Sequence, residues 1–221
     1  MRSSPGHAGA EEYLPGGRDI DRLAAAAQAC RGCDLFERAT QAVFGDGPPD
    51  ARVLLVGEQP GDVEDRAGRP FVGPAGKLLR RALADAGMDP ESLYFTNAVK
   101  HFRWRATSAG KRRIHQKPST GQVSACRPWL RAEVEAVAPG LIVALGATAA
   151  QSLMGSGFRL TQSRGVFFDW PPASVTEFGA PDPPPRLLAT VHPSAVLRAP
   201  ARDEALDQFV ADLRLAAQWH G

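Results

Sequence analysis

Short apolar runs alternate with longer amphipathic segments along this chain. The apolar runs are rich in branched residues and have the length of buried strands; they lie at Val53–Val56, Leu93–Thr96, Leu141–Leu145 and Leu187–Val191. The amphipathic segments predict helices over Asp19–Ala29, Gly73–Ala86, Gln122–Val137 and Asp203–Trp219, with a further helix starting at Gly146-Ala147-Thr148. Strands that alternate with helices are typical of an α/β fold around a parallel sheet.

Three remaining segments do not fit this alternation. Leu160–Trp170 predicts a small hairpin that turns at Arg164-Gly165, and Pro171–Pro185 contains six prolines, which predicts an irregular surface loop. Residues 1–17 are polar and lack the apolar core of a signal peptide, so they predict a flexible tail on a cytoplasmic bacterial protein. The rest, 18–221, is expected to form one domain.

Polar residues follow three of the predicted strands. Glu58 and Gln59 follow the first strand within a turn that contains Gly57, Pro60 and Gly61, Asn97 ends the second strand, and His192 follows the last. The carboxyl ends of parallel strands meet at one edge of a sheet, where open α/β sheets hold their ligands. We therefore expect these side chains to converge on a site. A polar connecting loop is the plainer alternative.

Charge is distributed unevenly along the 221 residues. The net charge is only +2, yet residues 95–132 carry nine Lys or Arg and no Asp or Glu. Lys100–Arg105 interleaves cations with aromatics, and the run Lys111-Arg-Arg-Ile-His115 follows. This pattern suits a phosphate backbone with exposed bases, although basic runs are often only solvated loops. With 43% hydrophobic residues and no long apolar run, the sequence predicts no membrane association.

Three cysteines are an odd number, which argues against a disulfide framework. Cys30 and Cys33 form a C-x-x-C pair that follows a helix, whereas redox pairs of this kind open one. A metal site is the better interpretation, with Cys126 and His101 as further ligands. Three thiolates and an imidazole suit either zinc or an iron–sulfur cluster, and the spacing does not distinguish them.

Taken together, these motifs resemble the iron–sulfur branch of the uracil-DNA glycosylase superfamily. The resemblance extends from about Cys30 to Arg198. It rests on Cys30-x-x-Cys33, Gly57-Glu-Gln-Pro-Gly61 with Glu64-Asp65, Gly68-Arg-Pro-Phe-Val-Gly73, Thr96-Asn97, Cys126-x-Pro-Trp, Leu145-Gly-Ala-Thr-Ala149 and His192-Pro-Ser.

Departures from that branch indicate one subgroup. Ordinary members have Ala or Gly in place of Gln59 and a cysteine in place of His101, and they lack the Lys111–His115 insertion. The combination found here resembles the UdgX-type subgroup, whose members become covalently attached to their DNA.

The resemblance implies a three-layer α/β/α fold with a central four-stranded parallel sheet. It implies a [4Fe-4S] cluster held by Cys30, Cys33, His101 and Cys126. Catalysis would involve His115, Glu58 and His192, with His115 capturing the deoxyribose C1′. The implied substrate-binding residues are Gln59, Asp62, Asp65, Phe71 and Asn97, and the implied DNA-binding residues are Lys111, Arg112, Arg113, Ser194 and Arg198.

The expected partner is uracil-containing DNA, both single-stranded and double-stranded, bound by a monomer. Extrusion of the base into a pocket is required because a stacked base is out of reach. Two alternatives stay open at this point. One is a glycosylase with ordinary hydrolytic turnover, and the other is a non-catalytic iron–sulfur module that binds damaged DNA.

Overall fold

The computed structural model describes residues 7–107, 112–171 and 182–219, and its centre is a five-stranded sheet. The sheet has the order β2-β1-β5-β7-β6, and the first four of these strands run parallel. Its strands are β1 (Val53–Gly57), β2 (Tyr94–Asn97), β5 (Leu141–Leu145), β6 (Phe167–Phe168) and β7 (Arg186–Thr190). The four predicted parallel strands are confirmed, each within one residue of its predicted bounds.

The fifth strand corrects the prediction of a hairpin at Leu160–Trp170. That segment forms the short helix α6 (Leu160–Ser163) and then β6. β6 pairs antiparallel with β7 and not with another strand of the same segment. Gly165 turns the chain with φ +68°, and its N–H donates to the carbonyl of Ala189. Edge pairing with a core strand satisfies more backbone groups than an isolated hairpin would.

Helices cover both faces of the sheet and bury two apolar layers. The long or site-forming helices are α1 (Ile20–Ala27), α2 (Asp62–Ala67), α3 (Pro74–Asp85), α4 (Thr120–Val137), α5 (Ala147–Met154), α7 (Pro193–Arg198) and α8 (Arg202–Ala217). α3, α7 and α8 pack on one face, against Val53, Leu55 and Val143, while α4 and α5 pack on the other, against Leu54 and Ile142. The predicted three-layer α/β/α fold is confirmed.

Local sequence accounts for the helix ends. Ser119 and Gln122 form a capping box, in which each side chain bonds the other residue's backbone N–H, so α4 begins two residues before its predicted start. Asp19 caps α1 by accepting from the N–H of Arg22. Pro74 occupies the first turn of α3, where its missing N–H costs nothing.

A second, two-stranded sheet was not predicted. β3 (Trp104–Ala106) and β4 (Arg113–His115) pair antiparallel, with Trp104 opposite His115. We call this element the basic hairpin. Its tip, residues 108–111, lies outside the described residues. Within the described residues, the basic run therefore belongs to a two-stranded antiparallel element.

Part of the segment predicted as a tail, residues 1–17, packs on the domain. A 3-10 helix forms at Glu11–Tyr13, Ala10 is fully buried, and the N–H of Gly9 donates to the carbonyl of Gly32. The folded region thus begins before the predicted boundary at residue 18. Of the predicted loop 171–185, residues 172–181 lie outside the described ranges. None of the described helices is long and apolar enough to cross a membrane.

Candidate active site

The side chains predicted to converge do so at the carboxyl edge of the sheet. Gly57 at the end of β1 lies beside Asn97 at the end of β2 in the parallel register. His192 follows β7, and the ring of Phe71 lies 6.4 Å from the His192 ring between centroids. The amide of Asn97, the ring of Phe71 and the imidazole of His192 therefore lie close together at the carboxyl edge of the parallel strands.

Phe71 and Asn97 pack closely against Gly57 at the end of β1. A Cβ at this position would overlap the Asn97 Oδ1 atom and lie 2.7 Å from the Phe71 Cζ atom. Phe71 and Asn97 are both buried, at 5% and 3% exposure. We call the group formed by Gly57, Phe71 and Asn97 the slot; it combines an aromatic ring with an amide that can donate and accept at once, a combination that suits a planar pyrimidine edge.

The packing around Phe71 holds its backbone in a strained conformation. Phe71 has φ +54°, in the left-handed region that bulky residues rarely adopt. The backbone of Gly76 in α3 packs so closely against the Phe71 carbonyl that a Cβ there would overlap it. A close helix start and a packed ring, 5.8 Å from the Phe95 ring, hold the strained conformation.

His192 is held as a neutral donor. Its Nδ1 atom accepts from the N–H of Ser194 at 3.2 Å and lies 2.8 Å from the Ser194 Oγ atom. Since Nδ1 accepts, the neutral ring carries its proton on Nε2. Burial lowers the pKa of His192 to about 4, with further lowering from His115 and Arg198. Ser194, predicted to contact DNA, orients this ring here.

Glu58 and His115 form a pair at the mouth of the site. The His115 Nε2 atom lies 3.5 Å from Glu58 Oε1, and the other carboxylate oxygen, Oε2, accepts from the hydroxyl of Thr148. Burial lowers the pKa of His115, and the nearby Glu58 carboxylate opposes that effect. The His115 side chain is still 49% exposed. It is therefore a neutral, accessible imidazole at neutral pH.

Gln59 binds the basic hairpin rather than an open pocket. Its Nε2 donates to the carbonyls of Gln116 at 2.9 Å and Arg103 at 3.3 Å, and its Oε1 accepts from the N–H of Arg103 at 3.0 Å. All of its amide atoms are thus used at the base of the hairpin. The implied role of Gln59 in binding substrate stays a prediction; in this structure its amide atoms bond the base of the hairpin that carries His115.

Asp62, Asp65 and Arg113 likewise bind one another. Arg113 donates to Asp62 and to Asp65, and Asp65 also accepts from the N–H of Thr40 at 2.9 Å. Asp65 is fully buried, and the Arg113 side chain is 13% exposed. These three residues join the hairpin to α2, and the implied substrate and DNA contacts stay predictions.

The other implied DNA-binding residues differ in position. Arg112 and Arg198 are exposed, and Arg198 lies near enough to the two site histidines to lower the pKa of each. Lys111 lies outside the described residues. Arg198 thus places positive charge beside the mouth of the site.

All four implied metal ligands are buried, and the three cysteines among them pack with aromatic and aliphatic residues of α1 and α4. Their exposures are 6% for Cys30, 8% for Cys33, 4% for His101 and 4% for Cys126. Burial raises the pKa of Cys33 to about 11 and of Cys126 to about 12, and lowers that of His101 to about 4. The N–H of Lys100 donates to the Cys126 Sγ atom at 3.2 Å.

No three His, Cys, Asp or Glu side chains within residues 7–107, 112–171 and 182–219 are arranged as a site for a metal ion. The donor types nevertheless suit iron and sulfide, because clusters are held by cysteine thiolates with histidine as an occasional replacement. An N–H directed at a ligand sulfur is the kind of contact that tunes such a centre.

Sequence reasoning missed two residues that complete the site. Thr148 holds one oxygen of Glu58 from the start of α5, and Thr40 supports Asp65 from a distant loop. A threonine at the amino end of a helix after a core strand was the available signal for Thr148. Thr40 gave none, because its contact with Asp65 depends on tertiary packing.

The structure is that of an α/β protein with an amide, an aromatic ring, a histidine donor and a carboxylate–histidine pair at the carboxyl edge of its sheet, where open α/β sheets hold their ligands. The family model for the uracil DNA glycosylase superfamily matches residues 44–214. The chain belongs to this superfamily.

Curated relatives support this assignment. The chain is 36% identical to a type-4 uracil-DNA glycosylase of Thermotoga maritima over 170 residues, which cover 76% of this chain and 78% of that protein. It is 34% identical to the type-4 uracil-DNA glycosylase of Archaeoglobus fulgidus over 191 residues, 86% of this chain and 89% of that protein. A type-4 uracil-DNA glycosylase of Sulfurisphaera tokodaii is 31% identical over 191 residues, 84% and 79% of the two chains.

Proposed function

We propose that this protein excises uracil from DNA and is then captured covalently on the deoxyribose through His115. Uracil excision is supported by the family and by the slot of Phe71 and Asn97. The extruded base would stack on Phe71 while the Asn97 amide bonds its edge. The Nε2–H of His192 would donate to the uracil oxygen that gains charge as the bond breaks.

The observation that carries the covalent step is the 3.5 Å separation of His115 Nε2 and Glu58 Oε1 at the mouth of the slot. The glycosidic electron pair leaves with uracil, and the sugar becomes cationic at C1′. The lone pair of an unprotonated His115 nitrogen then forms the new bond to C1′. The imidazolium so formed gives its remaining proton to the Glu58 carboxylate.

The lowered pKa of His115 supports this role. An imidazole whose pKa lies below its usual value is unprotonated at pH 7, and only that form has a nitrogen lone pair to donate. The hydrogen bonds of Gln59 and the ion pairs of Arg113 hold the ring in place. Positioning favours the imidazole over water as the nucleophile.

A [4Fe-4S] cluster held by Cys30, Cys33, His101 and Cys126 is part of the proposal. It would tie together three chain segments that are far apart in sequence. Its contribution here is structural, because binding energy at such a centre is coupled to folding.

The test uses a single-stranded oligonucleotide with one uracil, and the same oligonucleotide with thymine as control. The wild type is expected to release uracil and to give an equimolar band of slower mobility that survives SDS and heat. His115→Ser should release uracil and leave an abasic site without that band. His7→Ser, which removes a histidine outside the site, should behave as the wild type.

Other outcomes decide between the alternatives. Repeated turnover without a stable band would identify an ordinary hydrolytic glycosylase and overturn the covalent step. Binding without release of uracil would contradict the enzymatic function altogether. A band that persists in His115→Ser would show that another residue is the nucleophile.

A further inference from the structure

An ion pair lies fully buried behind the base slot, outside the residues assigned to catalysis. Lys100 Nζ donates to Glu133 Oε2, and the two side chains are 1% and 0% exposed. Lys100 follows β2, and Glu133 lies in the middle of α4. The pair therefore joins the strand that ends at Asn97 to the helix that carries Cys126.

Every polar group of this pair has a partner. Lys100 Nζ also donates to the Thr96 hydroxyl at 2.7 Å and to the Asn97 carbonyl at 2.8 Å. Glu133 accepts in addition from the hydroxyls of Thr96 and Tyr94 and from the N–H of Gly45. A fully bonded network fixes its members in one arrangement.

Packing alone does not require this network. Desolvation of two charges offsets much of their attraction, and apolar residues of similar volume often stabilise a core at least as well. A retained buried pair therefore suggests a role in fixing a particular geometry. Here the geometry is that of the Asn97 main chain, which the ammonium group contacts directly.

Lys100 also contacts the proposed cluster ligands. Its backbone N–H donates to Cys126 Sγ at 3.2 Å, and the next residue is His101. One residue thus bonds the Asn97 carbonyl through its side chain and a ligand sulfur through its backbone. The same lysine therefore contacts the main chain of Asn97, whose side-chain amide is proposed to read uracil, and one proposed ligand, Cys126.

We propose that Lys100 and Glu133 are positioning residues for base recognition. The pair holds the Asn97 backbone so that the side-chain amide stays beside Gly57 at the edge of the slot. Through the backbone of Lys100 it also holds Asn97 at a fixed position relative to Cys126. This inference rests on the proposed uracil excision. It assigns no chemical step to either residue, since neither lies within the slot.

The test is the charge-neutral double variant Lys100→Met/Glu133→Gln, compared with the wild type. Single-turnover assays give a rate constant per active molecule, and the amount of uracil released in one turnover counts those molecules. We expect the rate constant to fall about tenfold, since a hydrogen bond from a charged group is lost. Inhibition by free uracil should weaken similarly, while affinity for undamaged DNA and iron content stay unchanged.

Tyr94→Phe is the matched control. It removes one hydrogen bond to the same Glu133 carboxylate, at 3.3 Å, without touching Lys100 or Asn97. Its rate constant and inhibition by uracil should match the wild type. A fold defect would instead lower the number of active molecules in either variant, without changing the rate constant of those that remain.

Thr96→Val keeps the inference falsifiable if the double variant does not fold. It removes the hydroxyl that bonds both Lys100 and Glu133, and it should lower the rate constant severalfold with full iron content. A wild-type rate and wild-type uracil inhibition in the double variant, or in Thr96→Val if the double variant does not fold, would overturn the proposal. Absence of uracil release in the wild type would instead mean failure of the proposed function.

Discussion

At the scale of single residues, the site depends on which atom of each side chain is already bonded. His192 uses Nδ1 for Ser194 and so presents a proton on Nε2. Glu58 uses Oε2 for Thr148 and so leaves Oε1 toward His115. In both cases a residue at the start of a helix orients a reactive group, Ser194 through its backbone N–H and Thr148 through its hydroxyl.

Thr148→Val should slow adduct formation by about 10- to 100-fold, because a hydrogen bond to a charged group contributes roughly 1.5–3 kcal/mol. Without the hydroxyl, the Glu58 carboxylate is free to rotate away from His115. Rapid-quench gels with uracil-containing oligonucleotide would measure the rate. Thr148→Ser keeps the hydroxyl and should remain close to the wild type; an equal loss in both variants would contradict the role of the hydroxyl, because only Thr148→Val removes it.

His192 also predicts a pH dependence of stability. The pKa of His192 in the folded protein, about 4, lies below the ordinary value of 6.5. Between these two pH values the unfolded chain binds a proton at His192 that the folded protein does not bind. The corresponding stability is present above pH 6.5 and is lost as the pH falls toward 4. Thermal unfolding of wild type and His192→Asn between pH 7 and pH 4.5 should show the steeper loss in the wild type. Parallel curves would contradict the assignment.

At the scale of elements, apolar periodicity in the sequence predicts the core strands and helices, whereas tertiary packing alone determines the basic hairpin. The core strands and helices were predictable from apolar periodicity, and α4 was misplaced only at its cap. The Trp104–His115 region was not predictable as a hairpin, since its strands are short and polar. Its order comes from tertiary contacts with Gln59, Asp62 and Asp65.

The same distinction applies to the candidate site. Glu58, Asn97 and His192 were found because polar residues at the carboxyl ends of strands are a local signal. The intrachain partners of Gln59 and Arg113 were not predictable, because they lie 57 and 51 residues away in sequence, at Gln116 and Asp62. A charged or amide side chain does not reveal from sequence whether it contacts a ligand or another element.

Gln59→Ala tests the positioning role at the element scale. The basic hairpin would lose three hydrogen bonds at its base, so His115 would no longer be held against Glu58. We expect the rate of adduct formation to fall about tenfold while uracil release continues and leaves abasic DNA. The ratio of adduct to free uracil, measured on one denaturing gel and by chromatography, reports this change.

Two further variants sharpen that result. Gln59→Glu keeps an acceptor for the N–H of Arg103 but cannot donate to the two carbonyls, so it should share the defect. Gln151→Ala removes a glutamine that bonds Phe158 within its own region, and it should leave the ratio unchanged. A normal ratio in Gln59→Ala would mean that Arg113 alone holds the hairpin.

At the scale of the whole molecule, the proposed cluster would join three segments that are far apart in sequence. Cys30 and Cys33 follow α1, His101 follows β2, and Cys126 lies on α4. The three cysteines share one apolar region with Trp129 and Phe44, and His101 is buried at 4% exposure.

Cys126→Ser should therefore give colourless protein with little iron and poor solubility. A buried serine is a weak ligand for iron, and loss of the centre would release α1 and the β2 extension from α4. Visible absorbance, iron analysis and thermal unfolding measure the three consequences. Trp129→Phe is the matched control, since it loosens the same apolar region on the same helix without removing a ligand. It should lower the unfolding temperature yet retain iron and colour, whereas a fully active, iron-free Cys126→Ser protein would rule out a structural cluster.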